Sequence, residues 1–493
     1  MNDLNLPNFL PERGIYVGEK EKSKGQKLMD EIGYKTSNAW EKISDRENVF
    51  SYCEDYKYFL NVGKTERECV KEVIKRAEKL GFKDLDKVIK DKQTLNTGDK
   101  VYRNIKNKAI ILAVVGKKPL EDGTRMIGAH IDAPRIDIKQ NPLYENTDMA
   151  FFKTHYYGGI KKYQWLAIPL SLHGVIIKKN GETVEVNIGE DENDPVFTIT
   201  DLLPHLAKDQ MEKKLSEAFS AEAMNVLVGS IPYDDKEVKE KVKLNILNML
   251  NEKYDITEED FLTAELEIVP AFKAKDVGFD RSMIGAYGQD DRVCAYTSVT
   301  ALFDVQDPEY TAVCVLTDKE EIGSVGNTGA ESKILEDFMA DLCYLTSDNY
   351  SDIILRRCLS NSIMLSADVN AAVDPNFEGT HDKYNAAYLG KGLAILKFSG
   401  SRGKSGASDA HAELLAKIRK VFNENDVTWH TSELGAVDKG GGGTIAMFIA
   451  NLGVDVVDCG VPVLSMHAPF EITSKADVYS AYKGYKAFYK KLD

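Results

Sequence analysis

The adjacent carboxylates Glu320 and Glu321, in the stretch TDKEEIGSVG, are the most chemically suggestive residues of this 493-residue sequence. They follow an apolar run, Tyr310 to Thr317, that reads as a buried strand. Two neighbouring carboxylates at such a place are costly unless something pairs with their charge. They make sense if one binds a metal and the other handles a proton. Four more segments share this form, an apolar strand ending in Asp or His. They are MIGAHIDAP with His130 and Asp132, YGQDDRV with Asp290 and Asp291, IMLSADVN with Asp368, and VPVLSMHAP with His467. Five strand ends offering carboxylate oxygen and imidazole nitrogen point to one dinuclear metal centre.

Each signal is weak alone. Asp290 and Asp291 would serve as an N-cap and first-turn acid of a helix starting near Arg292. Asp368 would pass for a strand-end loop residue, and His467 for a satisfied buried histidine. Agreement of all five in residue type and placement favours the metal centre. His130 and Asp132 lie two apart on a strand, so their side chains leave the same face. A ligating imidazole needs an acceptor for its other N–H, and Asp132 can supply it. Glu321 can coordinate while Glu320 faces a water. Carboxylates with imidazoles suit Zn2+, with Mn2+ or Co2+ as substitutes. Two ions roughly 3.5–4 Å apart need a bridging carboxylate, and they polarise both water and carbonyl. Glu320 could then take the water's proton and deliver it to a leaving amine. Competing motifs fail. FSGSRGKSG has Phe398 where a phosphate-binding loop needs its first glycine, and DENDPVFTITD has Val196 where an EF-hand needs glycine. There is no HExxH and no GxSxG elbow.

The elements that must position these residues follow from pattern. Thr65 to Leu80 has helical periodicity and stops at Gly81. Lys108–Val115 and Arg125–Asp132 read as strands. Between about 139 and 275 the texture changes: a hairpin turning at Asn180-Gly181, a helix from Asp235 to about Tyr254, and a strand Leu262–Val269. None of the five ligand segments falls there, so this stretch reads as an insertion that divides a catalytic domain into 1–138 and 276–493. After 276, strands alternate with helix candidates Arg292–Phe303, Ser408–Asn423, Gly443–Asn451 and Ala476–Lys491. The predicted class is α/β, a sheet covered by helices on both faces, with ligands at the C-terminal strand ends.

Composition sets outer bounds. A net charge of -15 argues against a nucleic-acid partner. Seven cysteines without CxxC spacing read as buried free thiols in a reducing compartment. The opening MNDLNLPNFLPERG lacks the basic and apolar regions of a secretory signal, and no run reaches the roughly 20 apolar residues of a membrane span. A cytoplasmic location without membrane attachment is expected.

The ordered set GAHIDAPR, GQDDRV, DKEEIGSVG, SADVNAAVDPN and LSMHAPFE resembles the aspartyl aminopeptidase and aminopeptidase I family of dinuclear zinc exopeptidases, and is most similar to its bacterial aminopeptidase I-like branch. The resemblance spans nearly the whole chain. It implies a mixed-sheet zinc-exopeptidase domain with an inserted β-rich dimerisation domain at 139–275. It implies two Zn2+ per subunit, with Asp290 bridging, His130 and Asp368 completing one site, and Glu321 and His467 the other. Glu320 would be the general base and acid, acting with a metal-bridged hydroxide, and Asp132 would orient His130. His205, in TDLLPHLAK, would reach a neighbouring subunit's site and help bind the substrate carbonyl. The family further implies a tetrahedral homododecamer built from dimers, acting on short peptides.

Specificity stays open at this level. The aspartyl branch uses a basic pocket residue to select acidic N-termini, and Arg402 and Lys404 lie in a comparable stretch; an apolar, Leu-type preference is the alternative. The set also departs from that branch, with Asp291 after the bridging residue, and Ala371 and Asp374 where histidines are expected. An amidohydrolase, deacylase or carboxypeptidase would use the same metals, and a catalytically idle scaffold would have kept the fold alone.

Overall fold

Four parallel strands form the middle of a nine-stranded sheet: Thr311–Thr317, Thr124–His130, Ile363–Ser366 and Asp455–Gly460 lie side by side in that order. Their registers align Thr317 with His130 and Ser366 with Asp458, so their C-terminal ends open along one edge of the sheet. Antiparallel and mixed strands extend both flanks, Ala109–Val114, Lys100–Ile105 and Lys83–Asp84 on one side, Leu393–Leu396 and Trp429–Thr431 on the other. The computed structural model describes residues 22–492. The reading of the first residues as lacking a secretory signal therefore lies outside the described residues. The chain divides at Thr36 into two units, and the first contributes the helix Lys24–Ile32, capped by the Ser23 side chain.

Strand residues alternate between two apolar layers because successive side chains leave opposite faces. Ile110, Leu112 and Val114 join one core with the helices Arg46–Val62, Glu66–Lys79, Gln289–Phe303, Ala412–Glu424 and Lys475–Lys491. Ile111, Ala113, Val313 and Val315 join another with Ile334–Thr346, Asp352–Ser360 and Ala446–Ala450. Both faces of the sheet are thus covered by helices, as the alternating pattern predicts. The helix expected at 65–80 spans Glu66–Lys79, with Thr65 and Glu68 forming a reciprocal cap.

A separate six-stranded antiparallel sheet is built from Thr183–Ile188, Leu170–Ile177, Ala264–Pro270, Arg135–Asn146, Met149–Tyr157 and Val226–Gly229. Its own core includes Trp165, Ile136, Leu172 and Ile268. The hairpin turn falls at Asn180-Gly181, where Gly181 adopts a φ of 87°. The helix expected from Asp235 begins later, at Lys241. Its start is set from outside: a Glu145 carboxylate oxygen accepts the N–H groups of Val242 and Lys243. Such a tertiary cap has no local sequence signal. The expected helix at 408–423 spans Ala412–Glu424, where the His411 ring caps Leu414 N–H. That at 443–451 shortens to Ala446–Ala450, leaving its glycines in a loop. A small five-stranded sheet, with Met283–Ala286, Glu471–Ser474 and Pro462–Leu464 in its middle, carries the chain around the ligand end of the main sheet. Among the described residues, no helix is long and apolar enough to cross a membrane.

Candidate metal centre

The five predicted ligands converge. His130 ends its parallel strand, Glu320 and Glu321 stand in a tight turn just past Thr317, and Asp368 follows the strand ending at Ser366. Asp290 sits at the start of the Gln289–Phe303 helix, but with extended backbone (φ -78°, ψ 107°) rather than as a helical cap. The peptide joining it to Asp291 is cis. His467 lies in the turn between Pro462–Leu464 and Glu471–Ser474 with φ 64°.

Asp290 is the hub. Its Oδ1 is 3.2 Å from His130 Nε2, and its Oδ2 is 3.2 Å from His467 Nε2. Asp368 Oδ1 is 3.9 Å from His130 Nε2, and Glu321 Oε2 is 3.5 Å from His467 Nε2. Donor atoms therefore gather as two triads, His130 with Asp290 and Asp368, and His467 with Asp290 and Glu321, each within 4.8 Å. They share one carboxylate. Glu320 Oε2 stands 3.8 Å from His130 Nε2, beside both groups.

Both imidazoles are held from behind. His130 Nδ1 is 3.0 Å from the Asp132 carbonyl and 3.3 Å from its carboxylate. His467 Nδ1 donates to the Gly159 carbonyl at 2.9 Å. Each ring thus turns Nε2 toward Asp290. Gly158 and Gly159 permit this approach: a Cβ on Gly159 would stand 3.3 Å from His467 Nδ1, and Gly158 has φ 74° against Glu321. Asp132 does more than orient His130. Its two oxygens accept the backbone N–H groups of Glu320 and Glu321, each at 3.2 Å, and the Tyr157 hydroxyl at 2.8 Å. It fixes the turn that presents both glutamates.

The electrostatics describe a nest of negative charge. Burial, with the nearby Asp290, pushes the Glu321 carboxyl well up, and burial with Asp291 does the same to Asp368. At Asp290 the two histidines overcome burial and hold the carboxyl low. Against the pull of burial, Asp290 and Glu321 raise His467 to about 10. Burial lifts Glu320 to about 7, with Asp290 and Asp132 adding to it and His130 opposing. Glu321 Oε1 is buried without a hydrogen-bond partner. Clustered carboxylates around two imidazoles, with one buried carboxylate oxygen unpaired, make a site suited to cations. The donor set of oxygen and imidazole nitrogen fits zinc.

Sequence reasoning missed Glu471. Its carboxylate accepts Asp290 N–H at 3.0 Å and His467 N–H at 2.7 Å, so it holds the shared ligand and one imidazole in register. It stands inside the LSMHAPFE stretch, where a buried acid just past a ligand was the available signal. The sites opens to a cavity of about 380 Å³ whose walls include Leu396, Leu434, Met466 and the glycine loop 441–443. Arg402 and Lys404 are exposed and do not line it; Lys404 Nζ pairs with Asp409 at 3.0 Å and lies over the Phe398 ring. His205 is exposed in the short turn Pro204–Leu206 and does not line it within the same chain.

Known proteins resemble this chain in sequence and fold. The family model described as aminopeptidase I zinc metalloprotease (M18) matches residues 59–489. A probable M18 family aminopeptidase 1 of Clostridium acetobutylicum is 54% identical over 453 residues, covering 92% of this chain and 97% of that protein. The corresponding protein of Thermotoga maritima is 46% identical over 447 residues, covering 91% and 97%. Among solved structures, the M18 aminopeptidase of Thermotoga maritima superposes with a TM-score of 0.89 at 45% identity, covering 93% of this chain and all of that one. Aminopeptidase I of Clostridium acetobutylicum superposes with a TM-score of 0.87 at 52% identity over the same shares. The extent of these matches, together with the convergent ligand set, places the chain in the M18 family of aminopeptidase I zinc metalloproteases, which are exopeptidase hydrolases.

Proposed function

We propose that this chain removes the N-terminal residue of peptides, using two zinc ions held by the paired triads. The shared carboxylate Asp290, reached from both sides by imidazole Nε2 at 3.2 Å, carries this reading. His130, Asp290 and Asp368 would hold one ion, and Asp290, Glu321 and His467 the other; Mn2+ or Co2+ would substitute. When bound, the ions supply Lewis acidity that acidifies water and polarises the scissile carbonyl. Glu320 accepts the water's proton at Oε2 and passes it to the leaving amine. Burial favours the protonated form of Glu320 and bound cations favour the carboxylate, so the two halves of that shuttle are balanced at this position. Asp132 keeps Glu320 in place through the N–H of its own turn.

Further features belong to the same proposal. Residues 139–275, which hold most of the six-stranded sheet, act as an inserted dimerisation domain between catalytic parts 1–138 and 276–493. Dimers assemble into a tetrahedral dodecamer, and exposed His205 enters a neighbouring subunit's site. One solved relative in fold is the yeast mApe1 dodecamer, at a TM-score of 0.72 and 21% identity. Enclosure would limit substrates to short peptides. Seven buried free cysteines support residence in a reducing, cytoplasmic setting. Acidic selectivity through Arg402 or Lys404 gains no support from the cavity lining.

The test is a rate panel on the zinc-reconstituted protein, with dipeptides bearing free or acetylated amines. Hydrolysis confined to free amines is expected; cleavage of the acetylated set would turn the reading to a deacylase. Glu320→Gln should lower kcat by about 10²–10⁴-fold, and wild-type turnover in that variant would refute the role given to Glu320.

A further inference from the structure

The cavity beside the metal ligands contains a carboxylate that the ligand triads do not use. Asp458 stands in the parallel strand Asp455–Gly460, in register with Ser366 on the neighbouring strand. It is 3% exposed and lines the cavity together with Asp368, Glu320 and His467. Its Oδ1 accepts the Thr444 hydroxyl at 2.7 Å. Its Oδ2 is buried, and the polar groups near it are the hydroxyls of Ser366 and Ser399. The remaining lining is largely apolar, with Val369, Leu396, Leu434 and Met466, and hydroxyls at Ser399 and Thr444. Among the described residues, no lysine or arginine lines it.

A buried carboxylate held only by hydroxyls has an unmet demand for an opposite charge. The groups around Asp458 are hydroxyls and apolar side chains, so no cation of this chain meets that demand. An apolar wall leading to a carboxylate suits a side chain with a methylene stem and a cationic head, because the stem keeps its dry contacts while the head pairs with the acid. It opposes an acidic side chain, which would bring like charges together in a poorly solvated space. Burial raises the Asp458 carboxyl to about 6, while the hydroxyls of Thr444, Ser366 and Ser399 favour its ionised form.

We propose that Asp458 is the specificity-determining residue of the substrate side-chain pocket and that the pocket takes an N-terminal lysine or arginine. This rests on the aminopeptidase reading above. The experiment measures kcat/KM of the zinc-reconstituted full chain on dipeptides beginning with Lys, Arg, norleucine, Leu and Glu. Lys and Arg are expected to exceed norleucine by 10-fold or more, with Glu slowest. In Asp458→Asn, the Lys-to-norleucine ratio should fall by about 10-fold or more. Competitive inhibition by free L-lysine against free L-norleucine, measured on the wild-type protein, gives a second readout that needs no variant to fold, and L-lysine is expected to inhibit more tightly. Norleucine or Glu cleaved as fast as Lys, L-norleucine inhibiting as tightly as L-lysine, or a ratio unchanged in the variant, would overturn the proposal while leaving the aminopeptidase reading intact. Silence on every free-amine substrate would overturn both.

Discussion

Glu471 shows how much of the centre is held by residues that bind nothing themselves. Its carboxylate receives the N–H groups of Asp290 and His467. Glu471→Ala would leave both donors buried and unpaired, and should weaken zinc affinity by about 10–100-fold, read by competition with a chromogenic chelator. The residues that gather in the two triads were legible in the sequence because each is a polar residue close to an apolar run. Tyr157 and the Gly159 carbonyl were not, since their roles exist only once distant segments meet, and Glu471 offered only its place four residues past His467. A second residue-scale prediction concerns His430, whose Nε2 accepts Tyr388 N–H and whose Nδ1 donates to the Lys391 carbonyl, each at 3.2 Å. That pairing requires the neutral ring, and burial lowers its pKa from 6.5 to about 4. Unfolded chains therefore bind more protons across this window, so its contribution falls as pH drops from 6.5 toward 4 and is constant outside it. The full loss is on the order of 3 kcal/mol. Urea denaturation of wild type and His430→Gln at successive pH values should show the difference between them changing only in that range.

The helix Glu66–Lys79 and the six-stranded sheet are joined by charge as well as by apolar contact. Arg135, at the start of the strand Arg135–Asn146, is buried and lies 3.3 Å from Glu66 and 3.4 Å from Glu267. Lys64 reaches Glu190 at 2.6 Å across the same seam. Arg135→Met should cost about 3–5 kcal/mol in denaturant unfolding, because it removes the cation beside buried Glu267 and leaves Glu66 with Lys108 alone. Replacing Glu66 and Glu267 by Gln in that background should recover part of the loss. Sequence periodicity found four of the main sheet's nine strands, Ala109–Val114, Thr124–His130, Thr311–Thr317 and Ile363–Ser366, whose apolar runs are continuous. It placed the start of the Lys241–Tyr254 helix too early, since Glu145 caps it from another strand.

At the scale of the whole molecule, assembly is the property to measure. Light scattering should give a mass twelve times the 55.0 kDa of one chain. His205→Phe should leave that mass unchanged and lower activity by about 10²-fold or more, as loss of one oxyanion-stabilising donor does; full activity in the assembled variant would remove His205 from the neighbouring site. The two-faced apolar layering was visible in the alternation of strands and helices, whereas subunit contacts leave no periodic mark on a single sequence.

The convergence of His130, Asp290, Glu321, Asp368 and His467 has a consequence for how the protein is made. The proposed ligands come from segments far apart in sequence, so closing the centre requires long-range pairing, the slow kind of folding step. A ribosome-bound chain that has not been made through His467 lacks one triad outright. Hydrolytic competence is therefore withheld from incomplete and misfolded copies, and a cell synthesising this protein is shielded from it until the last strands are in place.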